Sequence, residues 1–158
     1  MDVNVSWEKD LQFKGTSASG STVEMDSHPR AETGVSPVEM VALALAGCTA
    51  MDVISILGKM RQEITVFDVK VHAERATDYP KVITSAKLDY VLVGRGVEES
   101  AVVTAIDRSI KKYCPVHAML AKAFPISLRY SVLESDGMGA ETVVKRGEYR
   151  PLPGSQEG

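Results

Sequence analysis

The stretch Ser36-Pro-Val-Glu-Met-Val-Ala-Leu-Ala-Leu-Ala-Gly-Cys-Thr-Ala-Met-Asp-Val-Ile-Ser-Ile-Leu57 decides how the rest of the chain is read. Ser36 suits an N-cap, Pro37 suits the first helical position, and Glu39 completes a capping box. From Pro37 to about Met60 the pattern is helical and apolar almost all round, with Gly47 and Cys48 at its centre. A helix of that kind is normally buried on most sides. In a chain of 158 residues, one way to bury it is to pass it through a dimer interface.

Working outward, residues 2–8 alternate and read as a strand, with 11–17 as its hairpin partner and 21–25 as a third strand. Residues 26–35 are polar, contain Pro29 and Gly34, and read as a loop. After the long helix, 63–75 and 81–93 alternate as two long strands with the turn Thr77-Asp-Tyr-Pro80 between them. Residues 97–113 have helical periodicity. Pro115 breaks that helix and opens a short one over 116–124. Residues 125–133 form a last core strand. The tail from Glu134 to Gly158 is rich in Gly, Pro and charge and looks loosely attached, with a possible edge strand at 141–150. The order predicts an α+β fold in one domain, with antiparallel strand pairing and the helices on one face.

Composition narrows the function. A net charge of −3 without a Lys/Arg cluster argues against a nucleic-acid partner. The N-terminus is polar and strand-like, so no leader is expected. The longest apolar run, 40–51, is too short for a membrane span. A cytoplasmic, reducing compartment is the expectation, and there a disulfide is more often transient than structural. The chain has two cysteines, Cys48 and Cys114, each in an apolar helical context. Two are too few for a disulfide scaffold, and with His28, His72 and His117 scattered they do not form a zinc clip. No metal and no cofactor are expected. The pair does suit a thiol couple that cycles between reduced and disulfide forms. The competing reading is that both are small buried hydrophobes, and that Met40, Met51, Met60 and Met119 fill the core.

The segments Ser36-Pro-Val-Glu-Met, Ala46-Gly-Cys-Thr-Ala-Met-Asp-Val and Cys114-Pro-Val-His117 resemble the OsmC/Ohr family of osmotically inducible and organic hydroperoxide resistance proteins, and their wording is nearest its YhfA-like branch. The resemblance covers roughly residues 1–133 and leaves 134–158 as a C-terminal extension. It implies an OsmC-like fold, an antiparallel sheet with a long central helix, in an intertwined homodimer. It also implies a thiol peroxidase acting on organic hydroperoxides, with Cys48 as the peroxidatic cysteine, Cys114 as the resolving one and an external dithiol as reductant.

Some residues depart from the Ohr pattern. There, an arginine from the N-terminal hairpin lowers the thiol pKa and is held by a glutamate directly after the helix proline. Here that position is Val38, and the carboxylate stands one place on, at Glu39. At about 100° per residue, Glu39 and Cys48 lie on roughly opposite faces of a regular helix. Glu39 therefore stands both as a candidate catalytic residue and as the capping-box residue. The hairpin offers only Lys9 and Lys14 as cations, and Arg30 lies in the following loop. Asp52, one turn after Cys48 on the same face, would raise the thiol pKa if ionised and needs a partner that the sequence does not name. His117 shares a face with Cys114 and offers a conceivable Cys–His pair. Two further functions stay open: a non-catalytic dimer holding a hydrophobic small molecule at its interface, and sulfur or persulfide handling through Cys48 alone.

Overall fold

The computed structural model describes residues 1–27, 34–135 and 141–151, so Arg30 and His28 lie outside the described residues. The chain divides into two compact units, residues 1–43 and 44–158. The first holds a three-stranded antiparallel sheet of β1 (Val3–Lys9), β2 (Gln12–Ser17) and β3 (Thr22–Asp26), in that order. It also holds the start of α1 (Pro37–Lys59). Every residue of β1 is exposed, including Val3, Val5 and Trp7. The N-terminus of α1 is built as its residues predict. Ser36 N–H and Oγ–H donate to Glu39 Oε2 at 2.8 and 2.7 Å, and Glu39 N–H donates back to Ser36 Oγ at 3.2 Å.

The second unit holds the rest of α1 and a four-stranded sheet in the order β4 (Glu63–Arg75), β5 (Ile83–Arg95), β6 (Ile126–Ser135) and β7 (Glu141–Glu148). Between β5 and β6 run α2 (Glu99–Arg108), a π-helical turn (Ser109–Tyr113) and α3 (Pro115–Leu120). The expected antiparallel sheet is corrected here: β5 and β6 pair parallel, while β4–β5 and β6–β7 are antiparallel. The reason is the helical crossover, which returns the chain to the end of the sheet where β5 began.

The core lies in this unit. Leu45, Val53, Ile56 and Leu57 of α1 pack with Leu88, Tyr90 and Leu92 of β5 and Val102, Ala105 and Ile106 of α2. Among the described residues α1 buries one stripe, and other apolar side chains of it stay exposed, with Leu43 at 58% and Met51 at 73% exposure. Met119 is exposed as well, so neither it nor Met51 fills the core as expected. The helix is 23 residues, longer than its uninterrupted apolar run, and by length and composition it matches a membrane span. Its stripe against the sheet and the Asp52 contact described below account for it as the central helix of the fold.

The tail is tethered where it is described, at residues 141–149. β7 pairs along the edge of β6, Tyr149 N–H donates to the Leu128 carbonyl at 2.8 Å, and Tyr149 Oη–H donates to Asp107 Oδ1 at 2.5 Å.

Candidate functional site: two thiols and a carboxylate

The second unit brings Cys48 and Cys114 together. Both are free, Cys48 half-buried and Cys114 buried. Their Sγ atoms and a carboxylate oxygen of Asp52 all lie within 4.8 Å of one another. Three local structures cause this. Cys48 and Asp52 are one turn apart on α1, so they project together. Their neighbours Leu45, Thr49 and Val53 form the buried stripe that holds this face of the helix against the sheet. Cys114 arrives from the far side of the sequence, placed by the π-turn, in which Cys114 N–H reaches back five residues to the Ser109 carbonyl at 2.8 Å. A π-turn shifts the side chains after it around the helix relative to an α-helical continuation.

Cys114 is then the N-cap of α3, with Pro115 next and its Sγ accepting the His117 N–H at 3.3 Å. This hydrogen bond between the cysteine and His117 uses the histidine backbone. The ring's Nδ1 has no partner, and burial lowers the imidazole pKa against a smaller opposing effect of the Ile110 carbonyl. Burial, a hydrogen bond to Cys48 and the nearby charge of Asp52 push the Cys114 thiol up to about 12, while the His117 N–H pulls the other way.

Asp52 has the partner its burial requires: Ser109 Oγ–H donates to Asp52 Oδ2 at 3.0 Å. The π-turn thus begins with the residue that tethers Asp52 and ends beside the one that carries the second sulfur. Tyr90 of β5, fully buried, lies in the field of Cys114 and Asp52. Burial first, then those two groups, push its phenol up to about 12. Among the described residues its hydroxyl makes no hydrogen bond of good geometry, although neighbouring Thr49 Oγ1, which donates to the carbonyls of Leu45 and Ala46 at 3.2 and 3.1 Å, still has lone pairs to accept and pulls the phenol the other way. Beside the site, a cleft of about 150 Å³ is lined by Asp52, Ser55, Ile56, Lys59, Arg108 and Tyr113.

The other sequence candidates belong to the first unit. Glu39 is exposed, and its carboxylate is held below the ordinary range by hydrogen bonds from the Ser36 side chain and then the Ser36 backbone. Lys14 pairs with Glu24 at 3.6 Å, and Lys9 closes β1. Sequence reasoning flagged Asp52 but missed Ser109, Tyr90, Lys59 and Arg108. Lys59 and Arg108 read as ordinary cations in the last turns of their helices. Ser109 reads as one more residue of an unbroken helix, and nothing in its own spacing marks it.

Comparison with known proteins bears on the family and the fold. The sequence pattern of the OsmC-like protein family matches residues 29–129. Protein YhfA of Escherichia coli (strain K12) is 41% identical over 133 residues, spanning 84% of this chain and 98% of that protein. The solved OsmC-like protein of Mycoplasma pneumoniae superposes with a TM-score of 0.72 at 18% identity, over 83% of this chain and 95% of that one. The organic hydroperoxide resistance protein OhrB of Bacillus subtilis does so with a TM-score of 0.55 at 14% identity, over 82% and 98%. Those two structural likenesses concern the fold; with the sequence match over most of the chain, they show that this chain belongs to the OsmC-like protein family.

Proposed function

We propose that the protein is a homodimeric thiol peroxidase that reduces small organic hydroperoxides in a reducing, cytoplasmic compartment. One observation carries the reading: two sulfurs far apart in sequence lie with a carboxylate inside 4.8 Å. The relationship to a protein named for organic hydroperoxide resistance supports the choice of substrate. Cys48, half-buried, is the nucleophile. Its thiolate attacks the outer peroxide oxygen, the O–O bond breaks, and the alkoxide leaves as an alcohol once protonated, leaving Cys48 as a sulfenic acid. The Cys114 sulfur then attacks the Cys48 sulfur and expels water, taking up the thiol proton, to give the disulfide. An external dithiol reduces that disulfide and is itself oxidised. Glu39 acts in this reading as a positioning residue that sets the start of α1. Residues 1–133 form the family domain, and 134–158 extend it.

The apolar outer face of α1 and the exposed β1 support the dimer, since exposed patches of this kind mark interaction surfaces.

The test is intact mass and free-thiol titration before and after about one equivalent of cumene hydroperoxide, a stoichiometry set by one disulfide per turnover. Wild type should lose two thiols and the mass of two hydrogens. Cys114→Ser should accumulate a sulfenic acid that a dimedone-type reagent traps. Thiols that stay unreacted over minutes would sink the proposal and turn attention to a dimer that holds a hydrophobic molecule.

A further inference from the structure

The Cys48–Asp52–Cys114 cluster has a composition that the peroxide cycle does not need. That cycle uses two sulfurs, and an ionised carboxylate beside them works against a thiolate by like-charge repulsion. We propose that Cys48, Asp52 and Cys114 together bind a thiophilic cation, Zn2+ being the test case, with three protein ligands and a fourth position open to water or a small ligand. The inference does not rest on the peroxidase reading.

Geometry comes first. Atoms bound to one tetrahedral zinc at about 2.0–2.3 Å stand about 3.3–3.8 Å apart. The three donor atoms already lie within 4.8 Å of one another, so side-chain rotations that draw each pair in by up to about 1 Å bring them onto one ion. Two of the ligands stand at i and i+4 on a single helix, a spacing that fixes their separation. The third sits at the junction of the π-turn and α3, where its backbone N–H is bonded to Ser109 and its sulfur faces the other two.

Around these ligands the groups match what a metal ligand set uses. Ser109 holds one oxygen of Asp52 at 3.0 Å, and an outer hydrogen bond of that kind orients a ligating carboxylate. Tyr90 is an independent observation: its side chain is fully buried, and its hydroxyl makes no hydrogen bond of good geometry among the described residues. Two thiolates and a carboxylate select a soft or borderline ion over Mg2+ or Ca2+, which favour all-oxygen sets. Binding replaces each S–H by an S–Zn bond and releases the protons to solvent. A zinc-loaded pair has no free thiolate for a peroxide, so metal and hydroperoxide compete for the same sulfurs.

The test uses reduced full-length protein, freed of metal by chelation and kept anaerobic with no peroxide present. Zn2+ is titrated against a chromogenic zinc chelator, and thiol reactivity is followed with a disulfide reagent. The expected result is one Zn2+ per chain, with both thiols shielded until excess chelator is added and equal Mg2+ or Ca2+ giving no shielding. Co2+ should give thiolate-to-cobalt charge-transfer bands and the visible bands of a tetrahedral site. Cys48→Ser, Cys114→Ser and Asp52→Asn should each weaken Zn2+ binding at least about 10-fold, with circular dichroism confirming that each is folded. Thiols that react equally fast at saturating Zn2+ would overturn the proposal in wild type alone, whatever the variants do. So would unchanged affinity in folded forms of both cysteine variants. A protein that binds zinc but ignores cumene hydroperoxide keeps this inference and loses the peroxidase reading; the reverse result loses this one only.

Discussion

Asp52 shows how much one side chain in an apolar helix depends on its surroundings. A half-buried carboxylate one turn from a thiol is costly without a donor, and Ser109 Oγ supplies it at 3.0 Å. Ser109 is itself fully buried, so removing its hydroxyl leaves Asp52 without that donor and brings in no solvent directly. Ser109→Ala should therefore lower unfolding stability by roughly 1–3 kcal/mol. The urea midpoint should fall with an unchanged denaturant slope. A midpoint equal to wild type would mean that Asp52 finds another donor.

Among the elements, the β5–β6 pair and the C-terminal strand carry the clearest consequences. Asp89 and Arg129 are register partners on the two parallel strands and form a two-point ion pair at 2.6 and 2.9 Å. The Arg129 hydrogen bonds hold the Asp89 carboxyl below its ordinary range, against a smaller desolvation effect. A depressed folded pKa contributes stability above the unfolded value of about 3.9, and the contribution is lost as pH falls through the folded value. The stability difference between wild type and Asp89→Asn should thus be constant above about pH 4 and shrink below it. Denaturant melts across that range read it directly, and the effect should be small because the pair is largely exposed. At the sheet edge, Tyr149 donates to buried Asp107, which also pairs with Lys111 at 2.7 Å. Tyr149→Phe should cost roughly 1.5–3 kcal/mol, read as a lowered melting temperature. A neutral result would show that β7 is held by its strand pairing alone.

For the whole molecule, the question is what covers the outer face of α1. Among the described residues, one stripe of this 23-residue helix packs in its own chain. Met51, at 73% exposure, lies on the opposite side of the helix from the Leu45–Val53 stripe. Light scattering after gel filtration should give twice the 17.1 kDa of one chain. Met51→Glu should move the equilibrium towards the monomer by placing a charge in an apolar interface. A wild-type monomer at micromolar concentration would leave the face for some other occupant.

Periodicity and punctuation in the chain were enough to reveal most of the local structure. The capping box at Ser36–Glu39, the alternation in β4 and β5 and the break at Pro115 are signals between near neighbours, and the observed elements follow them within a few residues. The motifs around Cys48 and Cys114 were also legible as a pair, which located the family. The meeting of those sulfurs with Asp52 depends on long-range geometry instead. So do the parallel β5–β6 register, the tethering of the tail through Tyr149 and the Ser109–Asp52 bond. Each joins residues tens of positions apart, and their placement is set by how α1 and the α2–π–α3 crossover pack on the sheet. Ser109 is the plainest instance. Its residue type is ordinary for a helix, and the widening of one turn, a tertiary outcome, determines that it faces Asp52 while Cys114 faces Cys48.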